Sequence, residues 1–120
     1  MRRSATLLLA LLAFGSQTAR ADGYKIFGVG VNSCSDWTRD HLDANSAKAS
    51  AEDAWLSGFI TGVDAYGPAE FSAPRATFKL MAEWLANYCH AKPEDSIASA
   101  GMALSREIQR RERACHSDLC

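Results

Sequence analysis

The stretch Trp55-Leu56-Ser57-Gly58-Phe59-Ile60-Thr61-Gly62-Val63-Asp64-Ala65-Tyr66 decides the fold class. Trp55, Phe59, Ile60, Val63 and Tyr66 recur at three- and four-residue steps, the period of one helical face. Ser50 followed by Asp53 resembles a capping box, and Ser46 is an equally good start, so the pattern predicts a helix from about Ala47 to Tyr66. Gly67-Pro68 ends it, because proline cannot continue a helix and glycine permits a left-handed cap. Gly58 and Gly62 lie four apart on a neighbouring strip, one turn after Ala54. Each glycine costs about 1 kcal/mol against alanine in a helix interior, so the pair predicts that something packs close to the backbone. The expected neighbour is another helix of the same domain; the alternative is a partner helix or a homodimer seam.

Outward from this helix, the preceding residues Asp22 to Ser33 interleave Tyr24, Ile26, Phe27, Val29 and Val31 with Gly28 and Gly30, as in a short edge strand or an extended arm. Ser35 suits the N-cap of a short helix through Trp37 and Leu42, with Asp36 in its first turn. On the other side, residues 69–73 form a loop with Glu70 and Phe71 at its tip, a candidate partner contact. Pro74 suits the first turn of a helix that carries Phe78, Met81, Leu85 and Tyr88 and ends near Cys89. Lys92-Pro93-Glu94-Asp95 reads as the start of a last helix, with Ile97, Gly101, Leu104 and Ile108 as its buried stripe. Arg106, Arg110, Arg111 and Arg113 lie toward its C-terminal end, where the helix dipole favours them. Glu107 and Arg111 are in the favoured order for an ion pair on a solvated face. The fold expected is all-α, a small bundle of three to four helices.

The chain's first residues say where this domain works. Met1-Arg2-Arg3 is a basic start, Ala5 to Phe14 is apolar, and Ala19-Arg20-Ala21 is a small-x-small cleavage signal. The apolar run is about half the length an α-helix needs to cross a bilayer, so residues 1–21 read as a cleaved signal peptide and 22–120 as a single helical domain. The expected location is periplasmic or secreted, with no membrane contact after cleavage. Loss of Arg2, Arg3 and Arg20 leaves 10 basic against 14 acidic residues, a net charge of about −4. That balance argues against nucleic acid as a partner.

All four cysteines, Cys34, Cys89, Cys115 and Cys120, follow the leader, so two disulfides are expected. Three connectivities exist. Cys115 and Cys120 are close enough to pair locally, which favours Cys34 with Cys89; the long loop so closed is worth about 4 kcal/mol on the chain-entropy relation. Cys89-His90 and Cys115-His116 lack the short ligand spacings of zinc sites, so no metal or cofactor is expected. No G-x-S-x-G, H-E-x-x-H, P-loop or dinucleotide pattern occurs. His41, His90 and His116 read as surface residues, and Asp64, off the aromatic face, as exposed or hydrogen-bonded to a neighbour. A binding protein is therefore expected rather than an enzyme, with a small enzyme lacking a recognisable motif as the third class.

The glycine- and aromatic-rich helix 55–66, followed by Trp84-Leu85-Ala86-Asn87-Tyr88, Pro93 and the alanine-rich Ala100 to Leu104, resembles the small periplasmic Tai-type immunity proteins. Those neutralise type VI secretion amidase effectors, and the resemblance implies a partner protein whose active site a loop would plug. The chain is also similar, more faintly, to the exported acid-stress chaperones of the HdeA type.

Overall fold

The computed structural model describes residues 24–67 and 76–115. They form a 3-10 turn, Gly28–Val31, and four helices: α1 (Cys34–Asp40), α2 (Ala47–Tyr66), α3 (Phe78–Ala91) and α4 (Ile97–Cys115). The expected signal peptide, the loop with Glu70 and Phe71, Pro74, His116 and Cys120 lie outside the described residues.

The expected all-α bundle is what forms. Its N-terminal segment is no edge strand. Gly28 takes φ +71°, a left-handed value that favours glycine. The chain then tightens into the 3-10 turn, where Asn32 N–H donates to Val29 O at 3.0 Å. Among the described residues, β pairing is confined to one isolated antiparallel bridge, Ser33 with Ser96.

Three helix starts differ from expectation, each because a better side-chain cap lies nearby. The α1 cap is Ser33 rather than Ser35: its hydroxyl accepts the Asp36 N–H, and the Asp36 carboxylate accepts the Ser33 N–H, both at 3.1 Å. This reciprocal box satisfies two amides that a helix start otherwise leaves bare. Helix α3 starts behind Thr77, whose hydroxyl accepts from Leu80 N–H at 3.3 Å. Helix α4 starts at Ile97 and not at Pro93, with the Ser96 hydroxyl accepting from Ser99 N–H at 3.1 Å. The turn before α4 is drawn to α1 instead: Cys34 N–H donates to Asp95 O at 2.7 Å, Ser35 N–H to Pro93 O at 3.0 Å, and Ile97 N–H to Asn32 O at 2.9 Å.

The core joins Cys34 and Trp37 of α1, Leu56 and Ile60 of α2, Leu85 and Cys89 of α3, and Ile97, Ala100, Leu104 and Ile108 of α4. Cys34 and Cys89, both fully buried, form the expected disulfide and staple α1 to α3. Cys115 is also disulfide-bonded.

Helix α2 matches its predicted span but not its predicted face. Ala49, Glu52, Leu56 and Ile60 point inward, while Trp55, Phe59 and Val63 flank them and Tyr66 is 92 % exposed. The helix is rotated because its flank has its own cover. Trp55 lies beneath the N-terminal turn, with Nε1 donating to Phe27 O at 2.9 Å. Phe59 stacks on Trp55, ring centroids 5.2 Å apart, and reaches toward α4.

Candidate functional site

The glycines that permit close approach are not those on the α2 strip. A methyl group on Gly30 would run into the Trp55 ring, and one on Gly101 would come within 3.2 Å of Phe59. Among the described residues, nothing outside the helix's own backbone lies within 4 Å of the Cβ positions of Gly58 and Gly62, so, contrary to expectation, no described helix packs against them. Helical geometry supplies the reason. Gly58 follows Leu56 by two residues and Gly62 follows Ile60 by two, about 200° round the axis at 3.6 residues per turn. Once Leu56 and Ile60 are buried, both glycines face away from the core.

The result is an outward strip of small side chains. Ala51, Ala54, Gly58, Thr61, Gly62 and Ala65 are exposed, and Tyr66 stands at its end. The strip spans roughly 22 Å at 1.5 Å per residue. Thr61 Oγ1 donates to Ser57 O at 2.7 Å, which satisfies its hydroxyl within the helix.

A second constellation lies at the corner of α1 and α2. Glu52 is fully buried, and among the described residues neither carboxyl oxygen has a hydrogen-bond partner. The nearby Nδ1 of His41 is 3.5 Å from Oε2. His41 itself is half-buried rather than a surface residue: its ring stacks on Trp37 at 3.9 Å, Nδ1 lies 2.9 Å from Trp37 O, and Nε2 lies 2.9 Å from Asp53 Oδ1. Burial pushes the Glu52 pKa up, and the charges of Asp40 and Asp36 push the same way, against the Asn32 amide and His41. Asp36 shows the opposite behaviour. Hydrogen bonds from the Ser33 hydroxyl and N–H, then from Arg39, hold its carboxyl below the ordinary range. Glu52 carries no motif; only its register with Ala49, Leu56 and Ile60 marks it as inward. His90 and Asp64 are exposed, as expected.

The third feature is an apolar groove of about 240 Å³ between α3 and α4, with Met81, Trp84, Leu104 and Ile108 among its lining residues and Glu107 and Arg111 at its rim. The expected Glu107–Arg111 pair forms, with Arg111 Nε 2.6 Å from Oε1, and Arg110 joins it with two bonds of 2.8 Å. Arg110 first and Arg111 second bring the Glu107 pKa down to about 2.

No family model, curated protein or solved structure matches the chain. Among the described residues, no group of three His, Cys, Asp or Glu side chains could hold a metal ion, and no helix is long and apolar enough to cross a membrane.

Proposed function

We propose that this chain is an exported, non-enzymatic module that binds another protein in the periplasm, and that its concrete role is immunity: neutralising a secreted effector hydrolase. The outward strip of α2 carries the reading. Two interior glycines cost about 2 kcal/mol of helix propensity, and no contact within the described domain uses the close approach they permit. A partner backbone laid against Gly58 and Gly62 would use it, with exposed Tyr66 as an aromatic anchor at the edge. The resemblance to Tai-type immunity proteins supplies the class of partner.

The test identifies an exported hydrolase encoded beside the gene and mixes it with the purified mature chain. A stoichiometric complex by size exclusion, with the hydrolase inhibited, is expected. A variant with Gly58→Leu and Gly62→Leu should keep its helical circular dichroism and lose the complex. Absence of binding and inhibition refutes the immunity role, whereas equal binding by both proteins refutes the placement of the surface on α2. Protection of client proteins from aggregation near pH 2 to 3, without hydrolase binding, would point to the acid-chaperone role instead.

A further inference from the structure

Carboxyl groups are rarely buried without a donor, because the ionised form loses its hydration and gains nothing in return. Glu52 comes close to that case: among the described residues neither oxygen has a hydrogen-bond partner at normal distance, and the donors beside it are the Asn32 amide and His41 Nδ1, 3.5 Å from Oε2. Trp37, 2 % exposed, and Leu56, fully buried, belong to the same core, and Glu52 is inaccessible to solvent. Its surroundings are mixed in charge. From α1 and its cap come Asp36, with Arg39 paired to it, Asp40 and His41. On α2 itself, Asp53 occupies the far nitrogen of His41. The 3-10 turn Gly28–Val31 and the stretch Ile97–Ser105 of α4 contain no titratable side chain. The segment before α1 contributes only the neutral Asn32 amide.

We propose that Glu52 is a pH-sensitive lock on this domain: its protonated carboxyl lets α1, His41 and α2 close together, and its ionisation loosens that corner. A carboxyl that keeps its proton to higher pH in the folded state than in the unfolded chain contributes its stabilisation fully below the ordinary glutamate value near 4.5. That contribution is lost as pH rises through the folded-state pKa. The sign is opposite to that of Asp36 and Glu107, whose folded-state pKa values are lowered and whose contributions are lost on acidification. The fold therefore sets a group that favours closure in acid at α1–α2 against conventional acid-labile hydrogen bonds in the α1 cap beside it and on α4.

The experiment has two arms. In the wild-type chain, selectively carbon-13-labelled glutamate is titrated by NMR, with Glu52 assigned by its loss in Glu52→Gln. Its carboxyl carbon is expected to titrate above the ordinary glutamate range. In parallel, urea unfolding of wild type and Glu52→Gln is compared across pH 4.5 to 8. The ratio of the wild-type to the Glu52→Gln unfolding constant should rise with pH over that range, by a factor of about ten for each pKa unit by which the titration places Glu52 above the ordinary glutamate value. A carboxyl midpoint in the ordinary range, or a ratio constant within about twofold, overturns the proposal. Should Glu52→Gln not fold, Glu52→Asp supplies the assignment and the wild-type titration decides alone.

Discussion

Replacing Gly58 and Gly62 together by alanine should stabilise the domain. Alanine is favoured over glycine in a helix interior by about 0.8–1 kcal/mol per site, partly because glycine leaves the unfolded chain more freedom to lose. That gain survives only where the added methyl meets nothing, and among the described residues no atom beyond the helix's own backbone lies within 4 Å of either position. The two sites sum to about 1.5–2 kcal/mol. For a domain of this size, each kcal/mol moves the melting temperature by roughly 4–8 °C, so a rise of about 10 °C is expected. Urea unfolding of residues 22–120, followed by tryptophan fluorescence and circular dichroism, measures the effect directly: the midpoint should rise with the slope unchanged. Gly101→Ala is the control, since the same propensity gain is there opposed by Phe59 at 3.2 Å, and it should stabilise less or destabilise. A double variant less stable than wild type, or more stable by under about 0.5 kcal/mol, would show that the strip is covered within the folded molecule. The basis for placing a partner there would then be gone. Bulkier residues at the same two positions should abolish partner binding in a protein that remains folded, which separates a binding face from a packing face.

Gly30→Ala should destabilise by about 1–3 kcal/mol, the usual range for overpacking, because its methyl would meet the Trp55 ring; faster limited proteolysis ahead of α1 should accompany the drop in urea midpoint. Replacing Cys34 and Cys89 by alanine removes a bridge across a separation of 55 residues, worth about 4 kcal/mol on the chain-entropy relation, so thermal denaturation should shift down by well over 10 °C. Glu107 contributes in the opposite pH sense to Glu52. Its folded-state pKa of about 2 means that the Arg110 and Arg111 pairing stabilises fully above the ordinary value of 4.5 and is lost as pH falls toward 2. The stability difference between wild type and Glu107→Gln should vanish across that window and shrink at high salt, which unfolding at several salt concentrations can check.

Much of the fold was legible because local signals were strong. The span of α2 follows from its period and from the Gly67-Pro68 stop, and the Cys34–Cys89 pairing from the closeness of Cys115 to Cys120 along the chain. The helix starts were less legible where two capping residues competed. Ser33 prevails over Ser35 because Asp36 sits three residues after it and can return the hydrogen bond. Pro93 is displaced from α4 because its carbonyl accepts the Ser35 N–H. Glu52 was not legible as a site at all, since a glutamate inside an amphipathic helix ordinarily faces water.

Periodicity, caps and cysteine spacing concern residues a few positions apart, or the cost of closing a loop, and these terms exist before the chain has folded. They are enough to make this protein helical, to bound its helices and to favour its staple. Rotation of α2 about its axis depends on what lies opposite it: the 3-10 turn over Trp55, Gly101 against Phe59, and α1 against Leu56. Trp55, Phe59 and Val63 would have sufficed for a core face in another context. With their flank already covered, Leu56 and Ile60 turn inward, Glu52 is buried with them, and Gly58 and Gly62 face solvent. Burial is a property of the whole packed arrangement, so both candidate sites arise from contacts between elements distant in the chain.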